Sequence, residues 1–403
     1  MYKETLPWVV NYNAAEIPPY TIPDVLKCQD GTMVGSKEQW EAKRRPELLE
    51  IFRKYMYGQV PPKPDKVEYD LLTEKKDALG GIAIRREVRI TFRMNDGRFR
   101  SFVTLAYIPA GAKGRVPVFV GLTFMGNHVI TNEEVMMTGM SYPLAPDKQV
   151  RGLQTFRFPL EYLMGRGYAI VVASYNDIFP DRSNGWADSM YNLFFSKKEL
   201  ENRLDDYSSI GLWSWGLSHI LDMLETMPEI DTSRAAVFGH SRLGKTSLWT
   251  GAQDTRFKLV CVNDSGCGGA ALSRRLYGET LYSMVEHNNI GYWFCNYLCQ
   301  HSLHPEDLPF EQHQLISLVA PRAVSIHSAT EDQWADPTSE YYSAFNAGPV
   351  YSLYGKTPLA NPEPPAPDTP VGTDVSYFLR TGKHNLLPPD WMHYLDLADI
   401  YLK

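Results

Sequence analysis

Five cysteines in 403 residues (Cys28, Cys261, Cys267, Cys295 and Cys299) are too few and too unevenly placed to staple a disulfide-dense scaffold. No two of them form a CxxC pair, which makes zinc knuckles and thioredoxin-like redox chemistry poor readings. No stretch approaches the ~18 consecutive apolar residues of a membrane span. A basic run is missing too. The 47 acidic and 40 basic side chains leave a formal charge of −7, which disfavours nucleic-acid binding driven by phosphate contacts. The opening MYKETLPWVV shows no charged-then-apolar signal pattern. With 44% apolar and 22% charged residues, the composition is that of a soluble globule able to bury a full core. The 24 Tyr and 9 Trp leave room for stacking surfaces.

Length alone allows one to three domains. The rhythm of the chain argues for one, spanning 1–403, with 1–65 as a lead-in and helix packed on it. Ser36-Lys37-Glu38-Gln39 fits a capping box, and Trp40, Leu48, Leu49, Phe52 and Met56 form a helical apolar stripe that Pro46 is expected to kink. Ile82, Ile84, Val88, Ile90 and Phe92 then alternate with polar residues, followed less strictly by Phe102, Val103, Leu105 and Tyr107, an antiparallel opening to a sheet. After Pro109 short apolar runs alternate with helical segments, as in parallel strands buried on both faces. The runs are Val116–Leu122, Tyr168–Ala173, Ala235–Phe238, Leu259–Val262, Ala323–His327 and Val375–Leu379. Helices are expected over Ser208–Met227, with Ile210, Leu217, Ile220, Leu221 and Leu224 on one side, and over Trp391–Tyr401. Regions near 124–160 and 333–374 read as long irregular insertions, the second containing the Pro-rich NPEPPAPDTP. The fold class is α/β: a mostly parallel central sheet, helices on both faces, long loop insertions.

AAVFGHSRLGKTSLW, residues 235 to 249, is the most informative stretch. A short strand runs into a Gly-bearing turn and then a helix, with Ser241 at the turn. This resembles the nucleophile elbow of α/β-hydrolases, which pushes a Ser hydroxyl out over the sheet. The second Gly of GxSxG is displaced: Leu243 holds its place and Gly244 follows. Gly239 to Thr246 also matches GxxxxGK[ST], the phosphate loop of nucleotide-binding ATPases, with Lys245 on phosphate and Thr246 on magnesium. Against that reading stand the position past mid-chain, the bulk of His240, Ser241 and Arg242, and the hydrolase parts downstream that it leaves idle. A Ser at a helix start is also a common N-cap. Yet Arg242 and Lys245 oppose the helix dipole there, which suits a helix start that holds an anionic or charge-developing group.

A serine nucleophile needs a base, and the base an orienting acid, commonly in the chain order Ser, acid, His. His384, in TGKHN after the last strand, stands where the base belongs. His313, within EQHQLISLVAPR, fits packing on a helix better. Two carboxylates compete for the acid: Asp332 in SATEDQWADP and Asp264 in VNDSGCGG. Glu331 adjoins Asp332, so a one-residue shift is open at this level.

GHSRLGKT, DSGCGGAALSRR, YGET, DQWADP and GKHN, in that order, resemble the bacterial glucuronoyl esterases of carbohydrate esterase family 15, an α/β-hydrolase family. The resemblance extends from RRPELL near residue 45 to the final helix. It implies a serine esterase that cleaves the ester between (4-O-methyl-)glucuronic acid on glucuronoxylan and an alcohol, notably of lignin, with no metal or organic cofactor. By the same resemblance Ser241 is the nucleophile, His384 the base and Arg242 an oxyanion-stabilising neighbour. Lys245, Glu279 and Trp334 bind the glucuronate. Asp332 is the first choice of acid, with Asp264 its partner or substitute. The fungal disulfide beside nucleophile and base is absent, because His240 and Asn385 stand there. A pocket Gln of the family is not evident after Glu279, where His287 and Asn288 occur. The resemblance further implies a secreted or periplasmic monomer that binds neither nucleic acid nor membrane. A non-catalytic carbohydrate-binding protein of the same fold is the other alternative, disfavoured by the intact Ser241, His384 and Asp332.

Overall fold

The computed structural model describes residues 9–139, 150–203 and 206–403. Among these residues nine strands form one sheet: β1 (Lys66–Asp77), β2 (Ala83–Arg93), β3 (Phe99–Pro109), β4 (Val116–Thr123), β5 (Ala169–Ser174), β6 (Ile230–His240), β7 (Phe257–Asn263), β8 (Ala323–Ala329) and β9 (Val375–Arg380). Their spatial order is β1-β2-β3-β5-β4-β6-β7-β8-β9. The first three strands form an antiparallel meander and β5 joins β3 antiparallel, whereas every pairing from β5–β4 to β8–β9 is parallel. The apolar runs dictate this. Every residue of β4, β5 and β8 is buried, as strands covered on both faces require.

Alternate strand residues feed two cores. Val118, Val120, Val237 and Val260 pack to one side, while Phe119, Ala236, Phe238 and Leu259 pack to the other. The first side is covered by α1 (Arg45–Phe52), α2 (Ser209–Leu224) and α3 (Arg242–Gln253). A fourth helix, α4 (Pro337–Asn346), also packs there through Tyr341 and Ala344, and α5 (Pro388–Tyr401) covers the second side through Trp391, Tyr394 and Leu395. The two-sided α/β-hydrolase arrangement expected from the sequence is present.

Several local expectations need correction. The edge strand β1 went unforeseen: Val67, Tyr69 and Leu71 alternate with charged residues, but the pattern is short and none of the twelve residues is fully buried. Ile82 lies outside β2 and is exposed. Arg85 and Glu87, on the face of β2 opposite Val88 and Ile90, are buried because the segment after β4 covers them: Arg85 pairs with Glu133 at 3.3 Å, and Glu87 accepts from the Met136 amide at 2.6 Å. Helix α2 is buried over most of its girth rather than on one side, with only Ser218, His219 and Asp222 partly exposed.

The capping box is only half formed. Ser36 Oγ accepts from the Gln39 amide, but Gln39 reaches back to the Gly35 amide instead of Ser36. Pro46 does not break its helix. The chain widens into a π turn over Trp40–Arg44, with the Arg45 amide bonded to the Trp40 carbonyl just before the proline. The region near 333–374 contains α4 and a further helix, Gly348–Leu353, and only its Pro-rich part is irregular. Residues 140–149 of the other irregular region lie outside the described residues.

Candidate active site

Ser241 follows β6 at once with φ 59° and ψ −129°, a conformation that costs a non-glycine residue about 1–3 kcal/mol. The parallel pairing of β6 with β7 fixes it there, because the Ser241 amide donates to the Asn263 carbonyl at 2.8 Å. The tight return explains both nearby glycines. A Cβ at Gly239 would lie 1.8 Å from the Leu243 carbonyl oxygen, and one at Gly244 would lie 2.9 Å from the Asn263 carbonyl. The close approach of helix to strand therefore falls at 244, and Leu243 is free to be buried in the core. That is the physical basis of the displaced second glycine.

The C-terminal ends of four consecutive strands supply the chemistry. Ser241 ends β6, Asp264 ends β7, Asp332 follows β8 and His384 follows β9. His384 Nδ1 lies 2.5 Å from Asp332 Oδ2 and 4.0 Å from Asp264 Oδ2. Asp332 is buried and Glu331 exposed, which removes the one-residue ambiguity as a matter of geometry. Asp264 adopts φ 45° and accepts from the Asn385 amide at 3.0 Å, while its Oδ1 has no hydrogen-bond partner among the described residues. Burial, then the charges of Asp332, Glu340 and Asp390, push the Asp264 carboxyl well above its usual range.

The loop carrying His384 is braced from behind. Arg380 donates to the carbonyls of Thr381, Lys383 and Asn385 and pairs with the buried Asp390 at 3.0 Å. In front, the His240 ring packs against the His384 ring with centroids 4.5 Å apart, and His240 Nδ1 meets Asn263 Oδ1 at 2.5 Å. Burial and the neighbouring His384 hold His240 well below the usual histidine range. The five cysteines are free thiols, so ring packing stands at the position where the fungal resemblance has a disulfide.

Arg242 and Lys245 do not wait for an external anion, as their place at the helix start suggested; each has an internal one. Arg242 pairs closely with Asp181 and lies over the Trp293 ring at 4.5 Å. Asp181 also accepts from the Tyr175 and Tyr292 hydroxyls and the Trp293 indole, each at 2.8 Å. Burial works against the Arg242 cation, yet Asp181 and Tyr175 keep its pKa above the ordinary value. Lys245 donates to the Ser265 carbonyl at 2.6 Å and to Glu279 at 3.0 Å, and the Trp334 indole donates to Glu279 at 3.2 Å. Thr246 turns its hydroxyl inward to the Arg242 carbonyl. With Lys245 and Thr246 both engaged inside the protein, a phosphate loop has no free lysine or metal-binding hydroxyl.

All eight residues singled out from the sequence (Ser241, Arg242, Lys245, Asp264, Glu279, Asp332, Trp334 and His384) line one cavity of about 500 Å³. Asn288, Ile290, Trp293, Ser265, Gly266 and Ala335 complete it. Asn288 brings an amide side chain to the wall where the family Gln was not evident. His313 is buried on a helix away from this cavity, its Nε2 2.9 Å from the Pro23 carbonyl, as packing predicts. Two contributors escaped the sequence reading. Asp181 lies in a Pro-Asp-Arg turn with nothing local to mark it, and Glu340 accepts from both amides of Ser265–Gly266 and from the Ser265 and Ser328 hydroxyls. Glu340 thereby fixes the turn that presents Asp264 and the carbonyl that Lys245 meets.

The family model described as "Glucuronyl esterase, fungi" matches residues 160–355. A curated protein from an unknown prokaryotic organism, carbohydrate esterase MZ0003, is 40% identical over 97% of this chain and 92% of its own length. A solved promiscuous CE15 esterase from a marine bacterial metagenome superposes with a TM-score of 0.88 at 40% identity, covering 98% of this chain and 100% of that one. A solved glucuronoyl esterase from Solibacter usitatus superposes with a TM-score of 0.88 at 35% identity, covering 96% and 100%.

Proposed function

We propose, for a chain that belongs to the glucuronoyl esterases of carbohydrate esterase family 15, a serine esterase acting on (4-O-methyl-)glucuronate esters of glucuronoxylan through an acyl-enzyme. The observation that carries this reading is the 2.5 Å contact of His384 Nδ1 with Asp332, in the same cavity as Ser241 at its elbow.

In this mechanism His384 Nε2 takes the proton of Ser241 Oγ as the hydroxyl attacks the uronate carbonyl. Asp332 fixes the ring so that Nδ1 carries the proton, and steadies the imidazolium that forms. The tetrahedral oxyanion meets the first amides of α3 and the Arg242 guanidinium; losing one such donor typically costs about 10²–10³ in rate. His384 then gives its proton to the departing alcohol, and water, activated by the same imidazole, releases the acid. Lys245 and Glu279 hold sugar hydroxyls, while Trp334 offers an apolar face.

Ser241→Ala is expected to abolish hydrolysis of methyl or benzyl glucuronate and to leave the melting temperature within a few degrees of the parent. Retained turnover overturns the proposal, and sugar binding without turnover in the unaltered protein would favour the non-catalytic alternative. Among the described residues no helix is long and apolar enough to cross a membrane. Residues 1–403 as one catalytic domain, a monomer exported to meet its polymer substrate, are part of the same proposal. Sedimentation of the purified chain checks the monomer.

A further inference from the structure

Arg157 stands out because it lacks what every other arginine of the site has. Its guanidinium is half-buried, yet no carboxylate lies within ion-pair distance of it among the described residues. Among the described residues its one side-chain hydrogen bond runs from Nε to the neutral amide oxygen Asn385 Oδ1, at 2.7 Å. Two phenylalanine rings flank the cation, Phe124 at 5.8 Å and Phe156 at 5.7 Å. A desolvated cation with no directly paired anion is costly, and burial lowers the Arg157 pKa against the opposing influence of the more distant Asp264. Arg242, by contrast, carries Asp181, and Arg380 carries Asp390.

Its position relative to the chemistry is defined by two contacts. Asn385 adjoins His384, and the Phe124 ring that Arg157 covers also meets Arg242 at 5.8 Å and His240 at 6.0 Å. Arg157 therefore stands on the His384 side of Ser241, whereas Lys245, Glu279 and Trp334 are joined to one another on the other wall. In ester hydrolysis the departing alcohol takes its proton from the base, so the alcohol must leave beside His384. Phe156, 49% exposed, opens that wall to solvent.

We propose that Arg157, with Phe124 and Phe156, forms a subsite on the alcohol side of the scissile ester that accepts an aromatic alcohol bearing a carboxylate. The proposal rests on the esterase reading for its orientation. The alcohol's ring lies against the exposed side of Phe156, and the carboxylate meets the terminal guanidinium N–H groups, which have no hydrogen-bond partner among the described residues.

Methyl, benzyl and 4-carboxybenzyl glucuronate separate the contributions. In the unaltered protein kcat/KM for the 4-carboxybenzyl ester is expected to exceed that for the benzyl ester by about tenfold, the worth of one exposed charge-assisted contact. Arg157→Gln, which retains an amide donor for Asn385, brings that ratio to near one, and Arg157→Lys restores part of it. A ratio that Arg157→Gln leaves unchanged, or that is near one in the unaltered protein, overturns the subsite. Saturation-transfer NMR with 4-(hydroxymethyl)benzoate reads binding without turnover. Its aromatic signals are expected with the unaltered protein and lost with Arg157→Gln; their absence from the first, or persistence in the second, also overturns the subsite. A protein that binds this alcohol through Arg157 yet hydrolyses no ester would sink the esterase reading and leave the subsite standing.

Discussion

Two carboxylates flank one imidazole in different electrical surroundings, and the difference assigns them different work. Asp332 touches His384 Nδ1, whereas Asp264 stands 4.0 Å off, with burial and three acidic neighbours favouring its neutral form. Asp332→Asn is expected to cut kcat about 10³–10⁴-fold, because an amide stabilises the wrong tautomer of the base. Asp264→Asn replaces a carboxyl whose burial favours the neutral form and is expected to cost under about tenfold. Measured kcat values of the two variants decide; equal losses would mean a shared role. Asp181 differs again, since its charge is what Arg242 leans on. Asp181→Asn is expected to lower kcat about 10–100-fold with KM changed far less, the split expected when a transition-state contact is misplaced. At this scale the sequence reveals residues that sit at strand ends, because strand ends can be read from apolar runs. Asp181 and Glu340 could not be read, since their partners lie 61 and 75 residues away with no local pattern joining them.

Helix α3 and the strand before it show how an element can satisfy a motif's geometry while departing from its letters. The requirement is that backbone approach backbone at 239 and at the helix's first contact with β7, which here falls at 244. Leu243→Gly, which would restore the common lettering, is expected to destabilise the fold by about 3–5 kcal/mol through a core cavity and lost helix propensity, without raising activity. Chemical denaturation checks it. Buried strands announced themselves because parallel pairing buries both faces and leaves unbroken apolar runs. β1 did not, since an edge strand with solvent on its face carries no such pattern, and the π turn before Pro46 answers a local backbone conflict that apolar spacing does not record.

For the molecule as a whole, the buried histidines steepen the acid limb of stability. Burial lowers His313 to about 4 and His393 to about 3. An unfolded histidine binds its proton near pH 6.5, so below that pH the unfolded chain gains protons that the fold refuses, and stability falls as pH drops from 6.5 toward 4. Asp177 and Asp336, pushed up to about 6 by burial, work in the opposite sense, favouring the fold at low pH and losing that advantage as pH rises. The difference between variant and parent isolates one group. His313→Gln is expected to make the stability–pH slope between 6.5 and 4 shallower by about 1.4 kcal/mol per pH unit. Coincident slopes from denaturant titrations would refute it. With all five thiols free, millimolar reductant is expected to leave melting temperature and turnover unchanged.

The four strand ends that meet at the cavity arrive in chain order, and the last of them is β9, which begins 135 residues after β6 ends at His240. During synthesis the elbow bearing Ser241 can fold against β4 and β7 long before His384 exists. The proton acceptor is added only when β9 docks on β8. If Ser241 and His384 act as proposed, a nascent chain carries its nucleophile without its base until β9 is in place.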